Sequence, residues 1–107
     1  MAFKGNIPKG SHVEAELCVS GGAAGTALLA VAFVDNGNGS GAKSGTVAPG
    51  ACDTCDVQTN PQPTGLLRVV VDFNSNSDTG RLVVRVNNTI RNDEPITGDT
   101  TWSYSLA

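Results

Sequence analysis

Apolar and polar residues alternate with a period of two along most of this chain, and no stretch carries the spacing of a helix face. In "HVEAELCV" (12–19), Val13, Ala15, Leu17 and Val19 fall on one face and His12, Glu14, Glu16 and Cys18 on the other. "LLRVVVDF" (66–73) groups Leu67, Val69, Val71 and Phe73 against Leu66, Arg68, Val70 and Asp72. "RLVVRVN" (81–87) turns Leu82, Val84 and Val86 inward and Arg81, Val83, Arg85 and Asn87 outward. "TWSYSLA" (101–107) aligns Trp102, Tyr104 and Leu106. "ALLAVAFV" (27–34) is apolar on both faces. Weaker strands are expected at Thr46–Val47, near Val57 and around Thr89–Arg91.

Between these runs lie turn-forming residues. "SGGAAG" (20–25), "DNGNGSGAKSG" (35–45) and "NSNSDTG" (74–80) are small, polar and glycine-bearing, and the last reads as a hairpin loop. "NPQPTG" (60–65) carries two prolines that a central strand would not hold. Five strong strands and two or three weak ones predict an all-β antiparallel β-sandwich, Ig-like or jelly-roll-like in shape, with seven or eight strands. At 107 residues it is a single domain, with 1–11 as an N-terminal arm.

Composition narrows the function. Seven Lys and Arg are scattered rather than striped, and the net charge is −3, so nucleic-acid binding is not expected. The apolar run 23–34 is too short to span a bilayer. Glu14 and Glu16 precede it where a signal peptide would be basic.

"CDTC" (52–55) has the spacing of half a zinc site, but a structural site needs four ligands. The remaining candidates, His12 and Cys18, stand about 20 Å apart along one strand and cannot share an ion. Asp53 and Asp56 oppose the low thiol pKa of a redox pair. Cys52 and Cys55 therefore read as loop thiols or as contributors to one disulfide, with no metal. Three cysteines leave at least one outside any intrachain disulfide.

Asp72, Asn74, Asn76 and Asp78 alternate like a calcium loop, yet Ser77 and Val83 stand where the Gly and Glu of that loop belong. No cofactor is expected. Calcium held between two Asn/Asp loops remains an alternative. A lectin-like module would use those loops, through Asp35, Asn36, Asn38, Asn74, Asn76 and Asp78, to hold a glycan or protein ligand. Of the five aromatics only Phe3 escapes an inward strand phase, which leaves little for sugar stacking. Catalysis is not expected, because the one histidine has no nucleophile elbow. Glu14 and Glu16 face arginines, and Arg68, Arg81 and Arg85 are the candidates for cross-strand pairs.

The second apolar face is the anomaly. Leu28, Ala30, Ala32 and Val34, with Leu66, Val70 and Val83 from other strands, point away from the core phase, and Leu28, Ala30, Ala32, Val34, Val70 and Val83 are the expected interface. Such a patch marks an interface or a surface covered by the N-terminal segment. The expected function is a non-catalytic binding or assembly module, a homo-oligomer joined through this face.

Overall fold

The computed structural model describes residues 2–20, 27–35, 38–59 and 65–106; for 30–35, 38–45 and 65 the description is of the backbone alone. The described residues form nine strands: β1 Ala2–Ile7, β2 His12–Val19, β3 Ala27–Asp35, β4 Asn38–Val47, β5 Cys52–Gln58, β6 Gly65–Asp72, β7 Thr79–Val86, β8 Thr89–Thr97 and β9 Thr100–Leu106. They build two sheets, ordered β1-β9-β6-β3-β4 and β5-β2-β7-β8. All pairs are antiparallel except β1 with β9.

The domain is thus the expected all-β sandwich, with nine strands instead of seven or eight. The N-terminal arm contains β1, an edge strand of the larger sheet. Most of the glycine-rich stretch 35–45, expected as a turn, belongs to β4 paired along β3. "CDTCDVQ" is β5, an edge strand and not a loop.

Alternation builds the core. From the smaller sheet come Val13, Ala15, Leu17, Cys55, Val57, Leu82, Val84 and Ile96, all buried. They face Leu29, Leu67, Val69, Val71, Trp102, Tyr104 and Leu106 from the larger sheet. The strict buried/half-buried alternation of β2 follows the sequence phase residue by residue. Polar contacts join the sheets along the β1–β8 side, among them two from the core's rim. Tyr104 donates its hydroxyl to Asn92 Oδ1 at 2.7 Å. Lys4 pairs with Glu94 at 2.8 Å while its Nζ sits 4.7 Å from the Trp102 ring centre.

The segment after Phe73 is not the expected hairpin loop. β6 and β7 lie in different sheets, so the chain arches over the end of the core. Both strands carry an inward apolar row, and they satisfy it from opposite sides. Polar groups hold the arch: within it Asp78 Oδ2 accepts from the Ser75 N–H at 3.2 Å, and from the β8–β9 turn Asp99 Oδ1 accepts from the Phe73 N–H at 2.8 Å. Gly98, at φ 70°, lets the next turn approach; a Cβ there would stand 2.9 Å from the Asn76 carbonyl oxygen. A two-residue hairpin stands instead at Asn87–Asn88, both at positive φ (51° and 67°), between β7 and β8. That pattern is a type I′ turn, whose twist matches the strands it joins.

Two outcomes test this core. Trp102→Ala should cost about 3–5 kcal/mol in urea unfolding, as large core deletions do, and native tryptophan emission should be blue-shifted. Burial also pushes the Tyr104 hydroxyl well above its ordinary value. The neutral form is thus the one the fold favours: its stabilisation is complete below about pH 10 and is lost as pH rises beyond, by about 1.4 kcal/mol per pH unit. Tyr104 is the only tyrosine, so tyrosinate absorbance reports it alone. It should stay protonated past pH 10 until the protein unfolds, and the alkaline loss of stability should be shallower in Tyr104→Phe.

Candidate functional site

The sandwich has two outer faces of opposite chemistry. On the smaller sheet, register places Glu14 between Asp56 and Arg85, Glu16 between Thr54 and Val83, and Cys18 between Cys52 and Arg81. The charges on this face are paired. Arg85 donates from Nη1 to Glu14 and from Nη2 to Glu16, both at 3.0 Å. The hydrogen bond to Glu16, then that to Glu14, raises the Arg85 pKa above its ordinary value. His12 Nε2 lies 2.7 Å from Asp56 Oδ2, and Arg81 Nε lies 2.6 Å from Asp93 Oδ1. Of the three arginines considered for Glu14 and Glu16, Arg85 is the one that meets them.

The same face carries a disulfide between Cys18 and Cys52, directly opposed residues with Cα atoms 4.0 Å apart. It ties edge strand β5 to β2. Cys55, one turn of the alternation away, points inward and is buried in the core. The CxxC spacing thus places its two sulfurs on opposite faces of one strand, which is why they neither pair nor converge on an ion. Among the described residues no group of three His, Cys, Asp or Glu side chains could hold a metal.

On the larger sheet the outward row of β6 is Leu66, Arg68, Val70 and Asp72. Leu66, Arg68 and Val70 are half-buried and Asp72 is exposed. Leu28 is 37% exposed and opposes Asp72. Phe3, 63% exposed, opposes Ser103 of β9 in the row that also holds Arg68. Among the described residues, the Arg68 Nε is the one buried side-chain polar atom with no hydrogen-bond partner.

The expected apolar interface set is therefore divided. Leu28 and Val70 share the outer face of the larger sheet, and Ala30, Ala32 and Val34 occupy backbone positions opposite Val70, Arg68 and Leu66; their side chains lie outside the description. Val83 does not join them. It belongs to β7, on the far side of the sandwich, where it is only 9% exposed between Glu16 and Asp93. Leu66 shares the face as its phase predicts; Phe3, Arg68 and Asp72 belong to it as well, and the alternation that identifies Val70 identifies all but Phe3.

The expected ligand loops separate as well. β3 and β6 are antiparallel, with Leu28 opposite Asp72 and Val34 opposite Leu66. Asp35 and Asn38, paired at the β3–β4 turn, are thus at one end of the sheet. Asn74, Asn76 and Asp78 are at the other, about 20 Å away at strand rise. Asn36 lies outside the described residues, as do the side chains of Asp35 and Asn38. Asn74 and Asn76 are exposed, whereas Asp78 is buried and engaged with the arch. The two loops do not make one site.

No protein-family model, curated protein or solved structure matches the chain.

The disulfide closes a loop with a sequence separation of 34. In the chain-entropy account, a closure of that length contributes about 3–4 kcal/mol. Reduction, or Cys18→Ser with Cys52→Ser, should lower unfolding stability by that order. Thiol titration of the unreduced, denatured protein should find one thiol per chain, that of Cys55; three would contradict the pairing.

Proposed function

We propose that this protein is a non-catalytic assembly module that associates with copies of itself through the outer face of the larger sheet. The observation that carries the reading is the contrast between the faces. One carries matched charges and a disulfide, with Ile90 as its exposed apolar residue; the other sets Leu28, Leu66 and Val70 on the adjoining strands β3 and β6, with Phe3 on β1 beyond β9. A strand such as β3, apolar on both sides, cannot face a single core with both, so its second side needs its own cover.

The magnitudes favour association. Covering a few hundred Å² of apolar surface at about 25 cal/mol per Å² drives several kcal/mol of gross stabilisation. Lost translational freedom offsets much of this, leaving affinity in the micromolar range as the expectation. A glycan-binding reading has less support, because the loops that would form its site stand at opposite ends of the sheet.

Sedimentation measures the outcome. The wild-type chain should exceed its 10.9 kDa monomer mass at micromolar concentration. Val70→Asp, at the centre of the β6 row, should return it to monomer with its β-type circular dichroism intact. A wild-type monomer at hundreds of micromolar would overturn the reading.

A further inference from the structure

Along β6 the outer row runs Leu66, Arg68, Val70, Asp72, so opposite charges flank Val70 at equal spacing. Among the described residues these are the two formal charges that β6 presents outward, and neither is in an ion pair. They cannot neutralise each other within one chain. Four residues of strand separate them by about 13 Å. Arg68 is moreover half-buried with its Nε covered and without a partner, so an acceptor on a second copy would meet the guanidinium through its terminal nitrogens.

We infer that the self-association proposed above, on which this inference rests, is a two-fold face-to-face dimer in which Arg68 of each copy pairs with Asp72 of the other. The arrangement follows from symmetry. When two identical sheet faces pack isologously, the two-fold axis lies in the plane between them. An axis running along the strands sets Arg68 over Arg68 and Asp72 over Asp72, which like charges oppose. An axis crossing β6 at Val70 exchanges the two ends of the row. Arg68 then faces Asp72 of the second copy, and Asp72 faces its Arg68. The charges select the second axis.

The rest of the face is compatible with it. The row on the axis reads Thr101, Val70, Ala30 and Ser44 across four strands, small residues that let two sheets meet at about 10 Å. The same operation sets Leu28 over the position of Ala32 in the second copy, a large residue against a small one. Five strands of six to ten residues offer about 600 Å² per copy, or about 1,200 Å² in the dimer, at the lower bound of specific interfaces. The ends of the Arg68 side chain and the Asp72 carboxylate would be desolvated together, which is where a charge pair contributes to specificity of register.

Charge exchange tests the register separately from the dimer itself. Arg68→Asp gives a face with two acids, and Asp72→Arg gives one with two bases. Each variant alone should be monomeric, its self-affinity weakened by at least about thirtyfold. Mixed in equal amounts, they should form a heterodimer, because every acid then meets a base. Sedimentation velocity reads the mass, and circular dichroism confirms that each variant is folded. If a swap fails to fold, Arg68→Gln and Asp72→Asn serve instead, each expected to weaken association by about tenfold. Single variants that associate as tightly as wild type, or folded swap variants that do not combine, would overturn the Arg68–Asp72 register while leaving the interface standing. A wild-type chain that stays monomeric at every concentration would remove the interface and the register together.

Discussion

Every second side chain of a strand points away from the core, and this geometric rule governs the whole domain. A two-layer sandwich has one interior, so each strand can bury one row there. β2 and β9 meet the rule with an inward apolar row and an outward row of polar or half-exposed residues. β3 and β6 carry more apolar residues than one interior can take. The surplus is placed on the outer face of the larger sheet, and the chemistry proposed for the protein follows from where that surplus falls.

The same rule explains what could be read from the residues. Phase is local, so the burial of Val13, Leu17, Val69, Leu82, Trp102 and Tyr104 was legible from neighbours alone. Sheet membership is not local. Alternation states which residues of a strand share a face, never which strand lies beside it. For this reason Val83 and Val70 look equivalent in sequence and end on opposite sides of the molecule. The polar run after Phe73 has turn composition, and turn composition serves a hairpin and an arch between sheets equally well. Of β4 only the Thr46–Val47 end was legible, because Asn38–Val47 is nearly all small residues without alternation; its pairing comes from β3. The Asn87–Asn88 turn lacks the glycine that usually signals a type I′ hairpin, although Asn tolerates left-handed φ. The partner of Cys52 depended on register between strands 34 residues apart, which spacing alone does not encode.

The flanks of the sandwich are closed by means that limit association at the edges. At the β1–β8 side, Arg91 donates to the carbonyl oxygens of Lys4 and Asn6 at 3.2 and 3.4 Å, beside the Lys4–Glu94 pair. Gly5, at φ 112°, admits this guanidinium where a Cβ would collide with it. The register of β1 slips there, which makes it a poor template for an added strand. On the opposite side the disulfide fixes β5 to β2. The association proposed here therefore runs through the face of the larger sheet, not through the β1 edge.

Side-chain oxidative footprinting at low and high protein concentration tests that claim most directly, because it identifies the covered face without altering the chain. Leu28, Leu66, Val70 and Phe3 should lose reactivity as concentration rises. Ile90, 57% exposed on the smaller sheet, serves as the internal control and should keep its reactivity. Unchanged reactivity at Leu28 and Val70 across the whole range, or protection of Ile90 in their place, would contradict the account.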